Sequence, residues 1–182
     1  GFRTTLFASD LVSPRRMLVD AEGLVYLAQQ YLGRVIRIRD SEGDGIADAA
    51  ALVLEQLPNP FGLALVPSGA YQGDLLVSDQ DTVYHLPLKS GGSQIGRVTP
   101  AGHFGQPAGH ITREVVVDAR SSQIYVAVGS INNLAEEADP KATIQRFDPD
   151  GTAVTFASGL RNVTGMDFEP ATSALYAVVM ER

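Results

Sequence analysis

The chain has 182 residues, 45% of them hydrophobic and 19% charged, with a formal net charge of −7 and no cysteine. No apolar run approaches the roughly eighteen residues of a membrane-spanning helix, and an acidic chain without a basic stripe is a poor partner for nucleic acid, whose phosphates need clustered Lys and Arg. The missing cysteines exclude disulfides, thiolate metal sites, cysteine nucleophiles and attached c-type haem.

Taken in chain order, one grammar recurs: an apolar strand, a turn rich in Asp, Pro, Ser and Gly, then a second apolar strand. It appears first as Met17-Leu18-Val19-Asp20 and Val25-Tyr26-Leu27-Ala28, followed by the alternating segment Val35-Ile36-Arg37-Ile38. The acidic run Asp40 to Asp48 comes next. Asp40, Glu42, Asp44 and Asp48 stand at positions one, three, five and nine of an EF-hand-like loop with Gly45 at six, but position twelve is Ala51 and no helix precedes it. It reads first as a solvated inter-strand turn, with a weak calcium site as the alternative. The grammar returns at Leu63-Ala64-Leu65-Val66-Pro67 with Leu75-Leu76-Val77-Ser78, and the third strand Thr82-Val83-Tyr84-His85-Leu86 follows. Tyr84 and His85 face opposite sides of that strand, so His85 reads as structural. His103 falls in a Gly/Pro-rich loop from Thr99 to Gly109.

The third unit is Val115-Val116-Val117-Asp118 with Ile124-Tyr125-Val126-Ala127, then Thr143-Ile144-Gln145-Arg146-Phe147. Asp148-Pro149-Asp150-Gly151 is a hairpin turn into an outer fourth strand, Ala153-Val154-Thr155-Phe156. The last unit is Met166-Asp167-Phe168-Glu169-Pro170 with Leu175-Tyr176-Ala177-Val178. Tyr26, Leu76, Tyr125 and Tyr176 recur in register at a period of roughly fifty residues, the length of a propeller blade. The expectation is an all-β chain forming one partial β-propeller domain over residues 1–182, with repeats near 14–56, 57–100, 108–158 and 159–182. That makes about three and a half blades, whereas propellers close with roughly four to eight. An open arc leaves two unpaired edges. The expectation is therefore a fragment of a longer protein or a ring completed by a second copy.

Two polar clusters stand one repeat apart, each running into an apolar strand: Gly109-His110-Ile111-Thr112-Arg113 and Arg161-Asn162-Val163-Thr164-Gly165. Polar tips on β scaffolds are where chemistry is presented, and equivalent places in a repeat can face one cavity. Asn132, Asn133, Glu136 and Glu137 follow the strand ending at Gly129-Ser130 and belong to a loop on the same face. They either line a substrate entrance or keep a long loop soluble.

The order Gly-His-x-x-Arg, then an Ile-Tyr-Val-x-Val-Gly-Ser strand, then Arg-Asn-x-x-Gly-Met-x-Phe and a Leu-Tyr-x-x-x-x-Glu-Arg strand resembles the glucose/sorbosone dehydrogenases, and the sorbosone dehydrogenase-like branch in particular. The resemblance covers the N-terminal half or so of such a protein. It implies a six-bladed propeller that binds pyrroloquinoline quinone (PQQ) with calcium and oxidises sugars. It implies His110 as the general base, a role imidazole suits because it titrates at roughly pH 6.5. Arg161 and Asn162 are implied as quinone contacts, the guanidinium stabilising negative charge that grows on the quinone oxygen. Arg113 belongs to the signature without an implied catalytic role. A sugar substrate, a quinone or cytochrome electron acceptor and a periplasmic or secreted location follow from the same resemblance, though nothing in the chain itself reads as a signal peptide.

Some positions depart from the family pattern. Gly109 stands where the soluble glucose dehydrogenases carry an aspartate, and the family's cofactor-contacting glutamine has no clear counterpart around Leu57-Pro58-Asn59-Pro60. Two other classes use the same scaffold: an NHL-like binding module without catalysis, and a calcium-dependent lactonase-type hydrolase. The latter would need a Glu/Asn/Asp set facing the channel, where this chain offers His110 and Arg161.

Overall fold

The computed structural model describes residues 1–89, 95–148 and 150–181. The strands form four antiparallel sheets, each built from neighbours in the chain. The first holds β1 (Pro14–Val19), β2 (Val25–Gln29), β3 (Arg34–Arg39) and β4 (Ala49–Leu54). The second holds β5 (Leu63–Leu65), β6 (Asp74–Ser78), β7 (Val83–Pro87) and β8 (Gly96–Arg97), and the third β9 (Val115–Val117), β10 (Ile124–Val128), β11 (Thr143–Phe147) and β12 (Ala153–Ser158). A two-stranded sheet, β13 (Val163–Phe168) with β14 (Leu175–Val179), follows. This is an all-β propeller arc of three four-stranded blades and the inner pair of a fourth, with no α-helix among the described residues.

The blades stack because their middle strands are apolar on both faces, and strand side chains alternate. In β6, Leu75 and Val77 pack against Tyr26, Ala28 and Val35 of the first blade, while Leu76 turns the other way to meet Val115, Ile124 and Val126 of the third. In β10, Tyr125 and Ala127 face the fourth blade and meet Val163 and Met166. Leu75, Leu76 and Val77 are fully buried, each worth about 1.5–3 kcal/mol of burial. The far side of the first blade, Val25, Leu27, Ile36 and Ile38, is covered by Phe7, Ala8 and Leu11 from the N-terminal segment.

Two outer strands, β4 and β8, escape the sequence reading. Ala49–Leu54 is exposed along most of its length and lacks a polar–apolar alternation, and Gly96–Arg97 is only two residues long. Both hydrogen-bond to a regular neighbour, which is what makes them strands. In the expected turn after β11, Thr152 accepts from the Asp148 N–H and Gly151 takes φ +84°; Pro149 lies outside the described residues.

Candidate functional site

In each sheet the residues entering the inner strand meet those leaving the second, because the two are antiparallel. This brings the entry to β9, the β10–β11 connection and the entry to β13 to one end of the arc. The His110 N–H donates to Ser130 O (2.9 Å), the Ser130 N–H to Arg161 O (2.8 Å) and the Met180 N–H to Asn162 O (2.8 Å). One serine thus stands between the histidine cluster and the arginine cluster.

Two glycines permit the approach. Gly109 takes φ +62°, and a Cβ there would collide with Ile131 O. A Cβ on Gly129 would lie 2.5 Å from the His110 Cβ and 3.3 Å from Asn162 Oδ1. The absence of an acidic residue at 109 is therefore a steric consequence of how the loop 129–131 crosses it. On the other side, the register slips between Val163 and Gly165 of β13, a bulge of the kind that re-aims side chains at a strand entry.

His110 Nδ1 lies 3.0 Å from Ser130 O and 3.1 Å from Ser130 Oγ. Asn162 is buried, and its Oδ1 accepts from Thr112 Oγ1 (3.1 Å), tying the two clusters across fifty residues of chain. Arg161 is braced by three bonds: Nε and Nη2 donate to Asn133 Oδ1 (3.2 and 2.6 Å), and Nη1 donates to Met180 O (2.9 Å). Asn132 is held in turn, its N–H and Nδ2 donating to Glu137 Oε1 (2.7 and 3.2 Å). A cleft of about 420 Å³ opens here, lined by Ser130, Asn132, Asn133, Lys141, Arg161 and Glu181 among others. Its volume lies within the roughly 300–1,000 Å³ of small-molecule and cofactor sites. Glu136, Glu137 and Asp139 also line it, so its two cations are set among carboxylates. His110 is not on the cleft wall; it touches the wall through Ser130.

Behind this rim lies a buried charged layer. Arg113 is fully buried, 5.5 Å over the Phe104 ring, and its Nη1 donates to His110 O and Thr112 O (3.0 and 2.9 Å). Burial pulls the guanidinium down to about 10, with Asp81 and Asp79 opposing the shift, so it stays cationic near neutral pH. It props the backbone that carries His110. Glu114, also fully buried, lies 2.5 Å from Arg16 of β1. Burial pushes its carboxyl up to about 7, and Arg16 only partly offsets that. Lys141 donates to Gln106 O (2.8 Å), and burial, with Arg113 nearby, lowers its ammonium.

Elsewhere, Asp40 accepts from the Gly43, Asp44 and Gly45 N–H groups, and Asp48 from Ser41. The loop with Glu42 and Asp44 is closed on its own backbone, and among the described residues no three His, Asp or Glu side chains converge as a cation site. His85 pairs with Asp74 (2.9 Å) and His103 sits edge-on to Phe104 and Phe147 in the core. Sequence reasoning gave no role to Ser130, Thr112, Lys141 or Glu181, whose places depend on contacts between strands and blades. In the fold Asn59 is held by Gln80, whose Oε1 accepts from Asn59 Nδ2 (2.9 Å).

The TrAA12-like family model matches residues 1–181. No curated protein sequence matches the chain. Among solved structures, the holo form of the PQQ domain of pyranose dehydrogenase from Coprinopsis cinerea superposes with a TM-score of 0.80 at 18% identity, over 96% of this chain and 45% of that one. An iodide structure of a Trichoderma reesei carbohydrate-active enzyme of family AA12 gives 0.78 at 20%, over 97% and 48%. The PQQ-bound aldose sugar dehydrogenase from Streptomyces coelicolor gives 0.67 at 18%, over 93% and 57%. The chain thus spans about half the length of these structures.

Proposed function

The chain belongs to the TrAA12-like family, and from that premise we propose that it carries the general base and part of the quinone site of a PQQ-dependent dehydrogenase acting on an aldose or related sugar. The observation that carries this reading is the placement of His110 and Arg161 on either side of Ser130, each one backbone hydrogen bond away. Two structural neighbours are described as PQQ-containing, one a pyranose and the other an aldose sugar dehydrogenase.

PQQ when bound supplies a quinone carbonyl carbon that accepts hydride from the sugar. The residues present fit such an anionic planar group at one point: a guanidinium has five N–H donors, and Arg161 uses three within the protein. The remaining two are available to a quinone or carboxylate oxygen, with Asn133 and Met180 holding the group in place. Asn162, buried and with its Oδ1 fixed by Thr112, keeps the two N–H donors of its amide nitrogen for the same ligand. As the sugar loses hydride from carbon, its hydroxyl proton passes to the imidazole of His110, and the two-electron oxidation balances. The described residues, among which no three His, Asp or Glu side chains converge, do not fit calcium on their own. Calcium stands as a family expectation, in keeping with a calcium structure of the Trichoderma reesei relative.

The reading carries a quinone or cytochrome as electron acceptor and a periplasmic or secreted location. Among the described residues no helix is long and apolar enough to cross a membrane. Within it, the ring is completed by further chain of a longer protein or by a second copy.

Calorimetric titration of PQQ, with calcium present, into this chain and into Arg161→Ala tests the reading. Loss of a charge-assisted contact should weaken binding about tenfold or more. His110→Ala should lower sugar-dependent dye reduction by roughly 10²–10⁴ while leaving PQQ binding intact. Equal binding by Arg161→Ala would place the quinone elsewhere.

A further inference from the structure

Ser130 is 3% exposed and uses every polar atom it has on the site. Its N–H donates to Arg161 O, and its carbonyl accepts from both the His110 N–H and, at 3.0 Å, His110 Nδ1. Its hydroxyl lies 3.1 Å from the same Nδ1 and donates to Asn132 O at 2.6 Å.

These contacts determine where the imidazole proton sits. A carbonyl oxygen only accepts, so the ring nitrogen facing it must carry hydrogen. The hydroxyl has one proton, directed at Asn132 O, and so presents a lone pair to the ring. Both contacts call for Nδ1–H, and a neutral imidazole protonated there has its free lone pair at Nε2. No carboxylate shares this duty: position 109 has no room for a side chain, and among the described residues no Asp or Glu bonds to the His110 ring.

We propose that Ser130 is a positioning residue that, through carbonyl and hydroxyl together, holds His110 as the Nδ1–H tautomer and thereby makes Nε2 the proton acceptor. Ser130 is a neutral orienter in place of a carboxylate, and its bond to Arg161 O keeps base and guanidinium at a constant spacing. The catalytic meaning rests on the reading of His110 as the base; the tautomer does not.

Long-range proton–nitrogen NMR of the nitrogen-15 histidine-labelled chain, above the imidazole titration range, reads the tautomer without cofactor or sugar. The chain has three histidines, and His110 is assigned by the signal lost in His110→Gln. Expected is a pyrrole-type Nδ1 and a pyridine-type Nε2. Ser130→Ala should move the tautomer ratio toward Nε2–H by about tenfold, and Ser130→Thr should restore it. A predominantly Nε2–H His110 in the unmodified chain overturns the proposal, whatever the variants do, and so does an unchanged ratio in a folded Ser130→Ala.

In the PQQ- and calcium-loaded protein with glucose, Ser130→Ala should lower kcat about tenfold with KM unchanged. Ser130→Asp should shift the acid limb of the rate profile upward by about one pH unit, because a carboxylate at Nδ1 favours imidazolium. Nδ1–H tautomers with sugar oxidation indifferent to His110→Ala would uphold the positioning by Ser130 and reject the dehydrogenase reading. The opposite pair of results would reject the positioning and keep the enzyme.

Discussion

Glu114 illustrates how a single buried carboxyl links this arc to pH. Its folded-state value is about 7 against an ordinary value of 4.5, so between those two the folded chain holds a proton that the unfolded chain has released. Stability linked to this group is full below about pH 4.5, falls as pH rises through the window and is lost above about 7, by up to roughly 3 kcal/mol. Urea unfolding at pH 5 and pH 8 should show Glu114→Gln with a smaller decline than the unmodified chain; equal slopes would mean the group titrates normally. At the same scale, His110, Arg161 and Asn162 were legible as polar tips on apolar strands and through a family motif. Ser130 and Thr112 were not, because a serine after an apolar strand carries no signal until the chain brings Arg161 O and His110 Nδ1 to it. Lys141 was hidden for the same reason: its bond to Gln106 O spans thirty-five residues.

At the scale of elements, the stack is held by inner strands that are apolar on both faces, and much less by the outer ones. Leu76→Ala, at the middle of an interface and with no exposed surface, should cost about 2–5 kcal/mol. Leu52→Ala on β4, whose side chain is 53% exposed, should stay within about 0.5 kcal/mol. Equilibrium denaturation of both checks the contrast, and similar losses would mean that the outer strands carry the stack as well. The same asymmetry explains which strands could be read. β2 and β10 announce themselves as buried runs such as Val25-Tyr26-Leu27-Ala28, while β4 and β8 form only because a neighbouring strand offers its hydrogen-bonding edge.

For the whole molecule, the fourth blade leaves Tyr176 and Val178 67% and 68% exposed on the side away from the third, and among the described residues β14 pairs with β13 alone. An apolar face beside an open strand edge favours pairing between chains. Sedimentation should show mass rising with concentration, with Val178→Lys shifting the chain toward monomer. A monomer at all concentrations would reject completion by a second copy.

Composition, the fifty-residue period and the alternation of apolar residues were enough to determine an all-β propeller, since these depend on local pattern and on what a strand must bury. The blade interfaces follow from the same alternation, as Leu75 and Leu76 show by facing opposite neighbours. How the candidate site is held together, beyond the identity of His110, Arg161 and Asn162, was decided by tertiary structure. A tautomer fixed by Ser130, a guanidinium braced by Asn133 and a side chain at 109 excluded by Ile131 O each require groups distant in sequence to come within hydrogen-bond or contact distance, and linear spacing holds no information about that approach.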